Sequence, residues 1–315
     1  MIVFRDPREV PADFGPSVVA IGKFDGVHAG HRAVIRRLRE KAAETSERSV
    51  AVTFDRNPLA VLRPDRCPEN VVTVERKIEL LGELELDATL LLTFDAEFAS
   101  RSAEDFVADI LVGALHVSTV LVGEDFRFGR GGAGTPALLR ELGPLHGFSV
   151  EVVDDVFLAG SDRRVSSTWI RELLMAGDVT TAARVLGRNV DVRGEVVHGL
   201  KRGRELGFPT ANLSASVDSF VPADGVYAGW LHDHATGMRH PAAISVGTNP
   251  TFDDVLERQV EAHVLGETEL DLYGHDVTVE FVERLRGMVA FEGIEKLMSQ
   301  MAADVTDAER VLAGG

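Results

Sequence analysis

Apolar positions along this chain follow two different periods. Over roughly the first 187 residues, short apolar runs lie at 17–21, 49–54, 89–93, 119–122 and 149–153. Between them, at 32–43, 74–86, 103–115 and 136–145, the apolar residues recur at helical spacing. Strands that alternate with helices form parallel sheets covered by helices on both faces. The first part of the chain is therefore expected to be a Rossmann-like α/β domain.

Beyond Gly187 the period falls to two. Val260, Ala262 and Val264 share one face of a strand, with Gln259, Glu261 and His263 on the other. Val277, Val279 and Phe281 alternate in the same way, and 226–231 and 242–246 read as further short strands. Short strands parted by Gly, Pro and Asp turns predict an antiparallel barrel or a sandwich. At the end of the chain Phe291, Ile294, Leu297, Met298 and Met301 return at helical spacing, which predicts a closing helix packed through those residues. There is no internal repeat or low-complexity tract. The boundary is therefore read from the change of period, giving domains 1–187 and 188–315.

Composition narrows the function. The 315 residues carry 33 Lys+Arg against 50 Asp+Glu, a formal charge of −17. Nonspecific nucleic-acid binders and anionic-membrane binders depend on a basic excess, so both are excluded as expected partners. Phosphate, if bound, must be held locally by backbone amides, a metal or a few placed cations. The single cysteine, Cys67, cannot form an internal disulfide or a cysteine-based zinc site. The N-terminus lacks a signal-peptide pattern, and no apolar run approaches the ~20 residues of a membrane span. These features predict a soluble cytoplasmic protein acting on small molecules, and they leave a homo-oligomer open.

The first chemical segment is Gly22-Lys-Phe-Asp-Gly-Val-His-Ala-Gly-His31. It follows a strand and opens a helix, which places it where open α/β sheets bind ligands. Gly22, Gly26 and Gly30 permit tight turns close to an anion, and the helix N-terminus offers unpaired N–H groups to phosphate. His28 and His31 are spaced to converge as donors. With Val122-Gly-Glu-Asp-Phe-Arg-Phe-Gly129 and Val165-Ser-Ser-Thr-Trp-Ile-Arg171, this segment resembles the nucleotidyltransferase signatures of bacterial bifunctional riboflavin kinase/FMN adenylyltransferases. Ser167 and Thr168 suit helix capping, and Arg171 suits a phosphate clamp. The resemblance implies that Gly22, His28, Gly30 and His31 hold ATP phosphates, joined by Ser167, Thr168 and Arg171. It also implies that Asn57 approaches the reacting nucleotides, and that Asp125 and Phe128 line the flavin side. Lys23 stands where the family commonly has Asn, and Thr135 where it commonly has Asp.

The second segment runs from Gly194 to Asn212, with glycines at 194, 199, 203 and 207 and the ending Phe-Pro-Thr-Ala-Asn. Such a loop can wrap phosphate in backbone N–H groups. Thr210 and Asn212, two residues apart, present oxygens on one face of an extended segment. Mg²⁺ takes few protein oxygens and completes its octahedron with phosphate and water. This stretch resembles the riboflavin kinase signature, and the likeness continues through Pro222–Ala228, Gly247–Phe252, Val260–His263 and Asp271–Gly274.

The resemblance implies a fold of α/β plus β, with a nucleotidyltransferase domain followed by a riboflavin kinase barrel and a C-terminal helix. Riboflavin, FMN, FAD, ATP, ADP and pyrophosphate are the implied ligands. Thr210 and Asn212 would bind Mg²⁺ and ATP phosphates beside Gly194, Gly199 and Gly207, and Glu261 would be the catalytic base. The chemistry also calls for a base, because a ribityl hydroxyl is neutral until its proton is removed. His263 shares that face and reads as a supporting residue. Met288 stands where the family usually has an acid, and Leu265-Gly-Glu departs as well, whereas Arg286 and Phe291 are retained, with Arg286 expected at the flavin. Two alternatives remain at this point. One is a kinase whose adenylyl-transfer half is impaired or serves another acceptor, and the other is a flavin carrier without turnover.

Overall fold

The structure, a computed structural model, describes residues 1–198, 208–214, 219–248, 258–267 and 270–314. Packing divides the chain into two compact units, Met1–Ser166 and Ser167–Gly315.

The first unit is built on strands β1 (Ile2–Phe4), β2 (Ser17–Ile21), β3 (Arg48–Phe54), β4 (Ala88–Leu92), β5 (Val117–Gly123) and β6 (Ser149–Val153). All neighbours pair in parallel, in the order β1-β4-β3-β2-β5-β6. Val18, Val19 and Ala20 on β2 are fully buried, as expected where helices cover both faces of a sheet. The chain runs outward from β2 through β3 to β4, then returns to add β5 on the other side of β2. That reversal leaves a crevice at the carboxyl ends of β2 and β5, the customary ligand position in open α/β sheets. β1 was not anticipated, because three residues are too few to show a period.

Helices Ala29–Thr45, Val74–Gly82 and Pro136–His146 occupy the expected stretches. Thr135 caps the last of them, its Oγ1 accepting from the Leu138 N–H at 3.1 Å. A hydroxyl there performs the capping role open to the Asp more usual at this position. The expected helix at 103–115 is α-helical only over Ala103–Asp105 and becomes a π-helix over Phe106–Ala114. Its closing bond runs from the Leu115 N–H to the Ile110 carbonyl, 3.0 Å. The widened turn keeps Phe106, Val107, Ile110, Leu111 and Leu115 all in the core.

The second unit contains helices Ser167–Ala176 and Val179–Leu186, a barrel, and the helix Ile294–Ala313. The strands are β7 (Val190–Val197), β8 (Ala211–Leu213), β9 (Gly225–Asp233), β10 (Met238–Thr248), β11 (Arg258–Val264) and β12 (Asp276–Arg286). They close in the antiparallel order β10-β11-β8-β7-β12-β9, which decides for a barrel over a sandwich. The period-two faces hold: Val260, Ala262 and Val264 are buried, as are Val277, Val279 and Phe281. A side-chain carbon at Gly229 would overlap the Glu280 carbonyl, so glycine is what lets β9 and β12 approach there. The first two helices pack with this unit through bonds from Ala223 N–H to the Leu174 carbonyl, 2.9 Å, and from Thr180 Oγ1 to the Val282 carbonyl, 3.2 Å.

The closing helix docks differently from expectation. Ile294 and Met298 are exposed, whereas Asp304, Ala308 and Leu312 are buried, with Val305 and Val311 packed beside Ala228 and Ala243. The apolar spacing at the start of the helix misleads because the helix docks through its later turns, where an ion pair stands beside the apolar contact. Arg286 donates through Nε and Nη2 to the two carboxylate oxygens of Asp304, at 2.8 and 2.6 Å, and Gln300 adds a bond of 3.0 Å. Both tryptophans, Trp169 and Trp230, lie in the second unit, so intrinsic fluorescence reports on it alone. Asp304→Ala leaves a largely buried guanidinium unpaired and is expected to cost this unit about 3–5 kcal/mol. Urea unfolding followed by tryptophan fluorescence checks this, and an unmoved midpoint contradicts it.

Candidate active sites

β2 ends at Ile21, and the six residues after it form a tight loop. Phe24, Gly26 and Val27 take φ values of 48°, 81° and 41°. Positive φ at a β-branched valine is rare, and such strain persists only where the surroundings enforce it. Here Phe24 and Val27 are buried, and the Gly22 N–H is held by the Val52 carbonyl at 3.1 Å. The loop delivers His28 as N-cap of the helix Ala29–Thr45, with its Nδ1 accepting from the His31 N–H at 3.3 Å. With Nδ1 an acceptor, the neutral ring carries its proton on Nε2.

The two imidazoles stack, with centroids 3.6 Å apart and planes 14° from parallel, and Phe24 meets His31 edge-on at 5.2 Å. Any side chain at Gly30 would press a carbon to 3.2 Å from the His28 ring. Burial holds His31 well below the ordinary histidine range, helped by the charges of His28, Lys23 and Lys77. His31 is thus a neutral group, and its Nδ1 has no hydrogen-bond partner among the described residues. His28, Gly30 and His31 thus lie together at the helix N-terminus, and Gly22 lies against the ring of Phe24, which meets His31.

Asn57 follows β3 and caps the short helix Pro58–Leu62, accepting from the Leu59 N–H at 3.1 Å. It shares a small cavity with Lys23, Asp25, Arg56, Asn70 and Lys77. Lys77 is the residue missed by the sequence reading. Only 7 % exposed, it donates to the Phe54 carbonyl at 2.6 Å and the Lys23 carbonyl at 3.4 Å. Its signal was present: Lys77 sits one helical turn from Leu80 and Leu81, on the apolar face of its helix.

Other expected residues have surroundings of their own. Asp125 is exposed and paired with Arg164 at 2.6 Å. Phe128 is buried, stacked on Phe126 with centroids 5.4 Å apart and set against Phe106. Ser167 and Thr168 open the helix Ser167–Ala176. Arg171, on the same helix, is buried. Arg286 is committed to Asp304 and, through Nη1, to the Gly287 carbonyl.

In the barrel, β8 pairs antiparallel with β11, which places Glu261 opposite Asn212. Directly opposed residues present their side chains on the same face of the sheet. Asn212 Nδ2 donates to Thr210, at 3.3 Å to the carbonyl and 3.4 Å to Oγ1. Burial pushes the Glu261 carboxyl above its ordinary value, against a hydrogen bond from Thr210 that acts the other way. His263 supports the approach to this trio, its Nδ1 lying 2.8 Å from the Pro209 carbonyl and its ring edge-on to Phe208. Gly194 lies on β7, while Gly199 and Gly207 fall outside the described residues. Thr210, Asn212 and Glu261 offer only oxygen for a metal, the donor type Mg²⁺ prefers. Among the described residues, no three His, Cys, Asp or Glu side chains form a metal-holding cluster. A cation here would therefore depend on ligand phosphate for the rest of its shell.

Comparison with known proteins follows the same division. The FAD synthetase family model matches residues 10–169 and the riboflavin kinase model residues 186–312. The bifunctional riboflavin kinase/FMN adenylyltransferase of Pseudomonas fluorescens is 37 % identical over 296 residues, covering 94 % of this chain and 93 % of its own. The Escherichia coli K12 protein of the same description is 34 % identical over 288 residues, covering 91 % and 90 %. A crystal structure from Streptococcus pneumoniae, described as a macrolide-efflux protein, aligns with a TM-score of 0.86 at 30 % identity over 98 % of both chains. Among the described residues, no helix here is long and apolar enough to cross a membrane. With both family models matched in order and relatives alike along nearly its whole length, the chain belongs to the bifunctional riboflavin kinase/FMN adenylyltransferase family.

Proposed function

We propose that the chain makes FAD from riboflavin in two ATP-dependent steps, with residues 188–315 phosphorylating riboflavin and residues 1–187 adenylylating the FMN. The observation that carries this reading is the register of β8 on β11, which sets Glu261 opposite Asn212 with Thr210 bonded to both.

In the first step Glu261 accepts the ribityl hydroxyl proton as the oxygen bonds to the γ-phosphorus, and ADP leaves. Burial makes Glu261 a better proton acceptor than a solvated carboxylate. Gly194, Gly199 and Gly207 belong to the proposed phosphate wrap. Thr210 and Asn212 would hold Mg²⁺, which supplies charge neutralisation when bound.

In the second step the nucleophile is an FMN phosphate oxygen, and pyrophosphate is the leaving group. A phosphomonoester's second pKa is about 6, so this nucleophile is already ionised and needs no base. What the site must provide is alignment and charge neutralisation. His31, held neutral, and His28, through Nε2, supply N–H donors beside the helix N-terminus, with Gly22 and Gly30 giving the phosphates room and Asn57 near the reacting groups. Ser167, Thr168 and Arg171 join this set on the strength of their motif, as do Asp125 and Phe128 as flavin contacts, while Arg286 belongs to the flavin contacts of the kinase step. A cytoplasmic location fits the single free Cys67.

Glu261→Gln should lower FMN formation by about 10²–10⁴-fold while sparing FAD formation from supplied FMN. His28→Ala should do the reverse. Chromatographic separation of flavins after incubation with ATP and Mg²⁺ reads both, and equal damage to both reactions by each substitution would refute separate sites. The raised carboxyl of Glu261 sets a further expectation. Riboflavin phosphorylation should fall as pH drops through a value above 4.5, where the base takes up its proton. A pH profile of kcat/KM checks this, and the acid limb should vanish in Glu261→Gln.

A further inference from the structure

Lys77 is a buried cation that the mechanism above does not use. It projects from the helix Val74–Gly82 to the carboxyl ends of two adjacent parallel strands, β2 and β3. There its ammonium meets the carbonyls of Lys23, just past β2, and Phe54, the last residue of β3. The Lys23 carbonyl also accepts from Thr53 Oγ1, at 3.1 Å, so both loops are stitched at one point. One loop leads to His28 and His31 and the other to Asn57. No described ion pair includes Lys77. Its nearest charged influences are the carboxylates of Asp25, Asp55 and Glu75, with Lys23, Arg56 and His31 on the loops and helix beside it.

Burying a lysine is costly, and a methionine of similar shape would fill the same space without that cost. Desolvation lowers the Lys77 ammonium to about 8. A group kept at such cost, bonded to the two backbones that carry the proposed phosphate contacts, is explained by geometry at the site rather than by core packing.

We propose that Lys77 is a positioning residue for adenylyl transfer, fixing the loop that carries His28 and His31 against the loop that carries Asn57. The inference rests on the adenylyl-transfer reading of the first unit. It adds that the alignment of phosphate donors with the acceptor is set by an ammonium bridging two backbone carbonyls. Misplacement of reacting groups by about 1 Å can cost on the order of 10²-fold in rate.

The test uses the full chain with Lys77→Met and Lys77→Arg. Lys77→Met should lower kcat for FAD formation by about 10–100-fold with little change in KM for ATP or FMN. Riboflavin phosphorylation and the melting temperature should stay at wild-type levels, and Lys77→Arg, which keeps a cation with several donors, should recover part of the loss. Hydrogen exchange without substrate should show faster exchange in the segments 22–31 and 53–57 of Lys77→Met than in wild type, with β5 and β6 unchanged. Unaltered exchange in both segments overturns the proposal whatever the activities. So does an unchanged kcat, a loss confined to KM, or a loss that tracks a fallen melting temperature. If wild type forms no FAD while the exchange result holds, the adenylyl-transfer reading fails and the loop-fixing bridge stands.

Discussion

A chain with a formal charge of −17 cannot gather polyphosphates by its overall field. That field opposes them, although salt screens it beyond about 10 Å. Attraction must therefore come from groups fixed within a few ångströms of the anion, and this requirement governs how both units are built. In the first, strained backbone after β2 aims a helix N-terminus, with its stacked imidazoles, at one point. In the second, pairing between β8 and β11 holds two neutral oxygens opposite a carboxylate. Neither arrangement tolerates looseness, because local dipoles lose effect much faster with distance than a net charge does.

The two units meet this requirement by different mechanical means. A strand register is discrete: slipping β11 by one residue would turn Glu261 to the other face and bring an apolar neighbour in its place. The alternation of Val260, Ala262 and Val264 into the barrel prevents that slip. Loops at the carboxyl ends of parallel strands have no comparable register. They must be tied individually, which is the work of the Gly22 bond to Val52, the ring contacts of Phe24 and the ammonium of Lys77.

How much of this was legible in the sequence depends on the kind of interaction involved. Period and apolar runs revealed the central strands, most helices and the two-part organisation, because those follow from burial of one face. Motif spacing drew attention to His28, His31, Thr210, Asn212 and Glu261, and backbone geometry brings each set together. Interactions that run against hydrophobic pattern were opaque. The closing helix docks through Ala308, Leu312 and the Arg286–Asp304 pair rather than through Ile294 and Met298. Lys77 showed only its place on an apolar helix face, and its carbonyl partners come into view only once the strands above it are placed. β8 spans three residues inside what reads as a loop, so its pairing with β11 could not be counted from the pattern. Phe128, a motif aromatic expected at the flavin side, also packs on Phe106 and Phe126, which the motif alone does not show.

The same physical term acts with opposite sign at the two sites. Removal from water disfavours whichever form of a group is charged. For Glu261 that form is the carboxylate, so burial raises its affinity for a proton, and Thr210 tempers the effect with a hydrogen bond. For His31 it is the imidazolium, so burial keeps the ring neutral, and the positive charges around it push the same way. A neutral hydroxyl acceptor calls for a strengthened base, whereas an ionised phosphate acceptor calls for donors and no base. On the proposed mechanism each site would have the protonation behaviour that its own nucleophile requires, with desolvation, acting on an acid in one unit and a base in the other, favouring both.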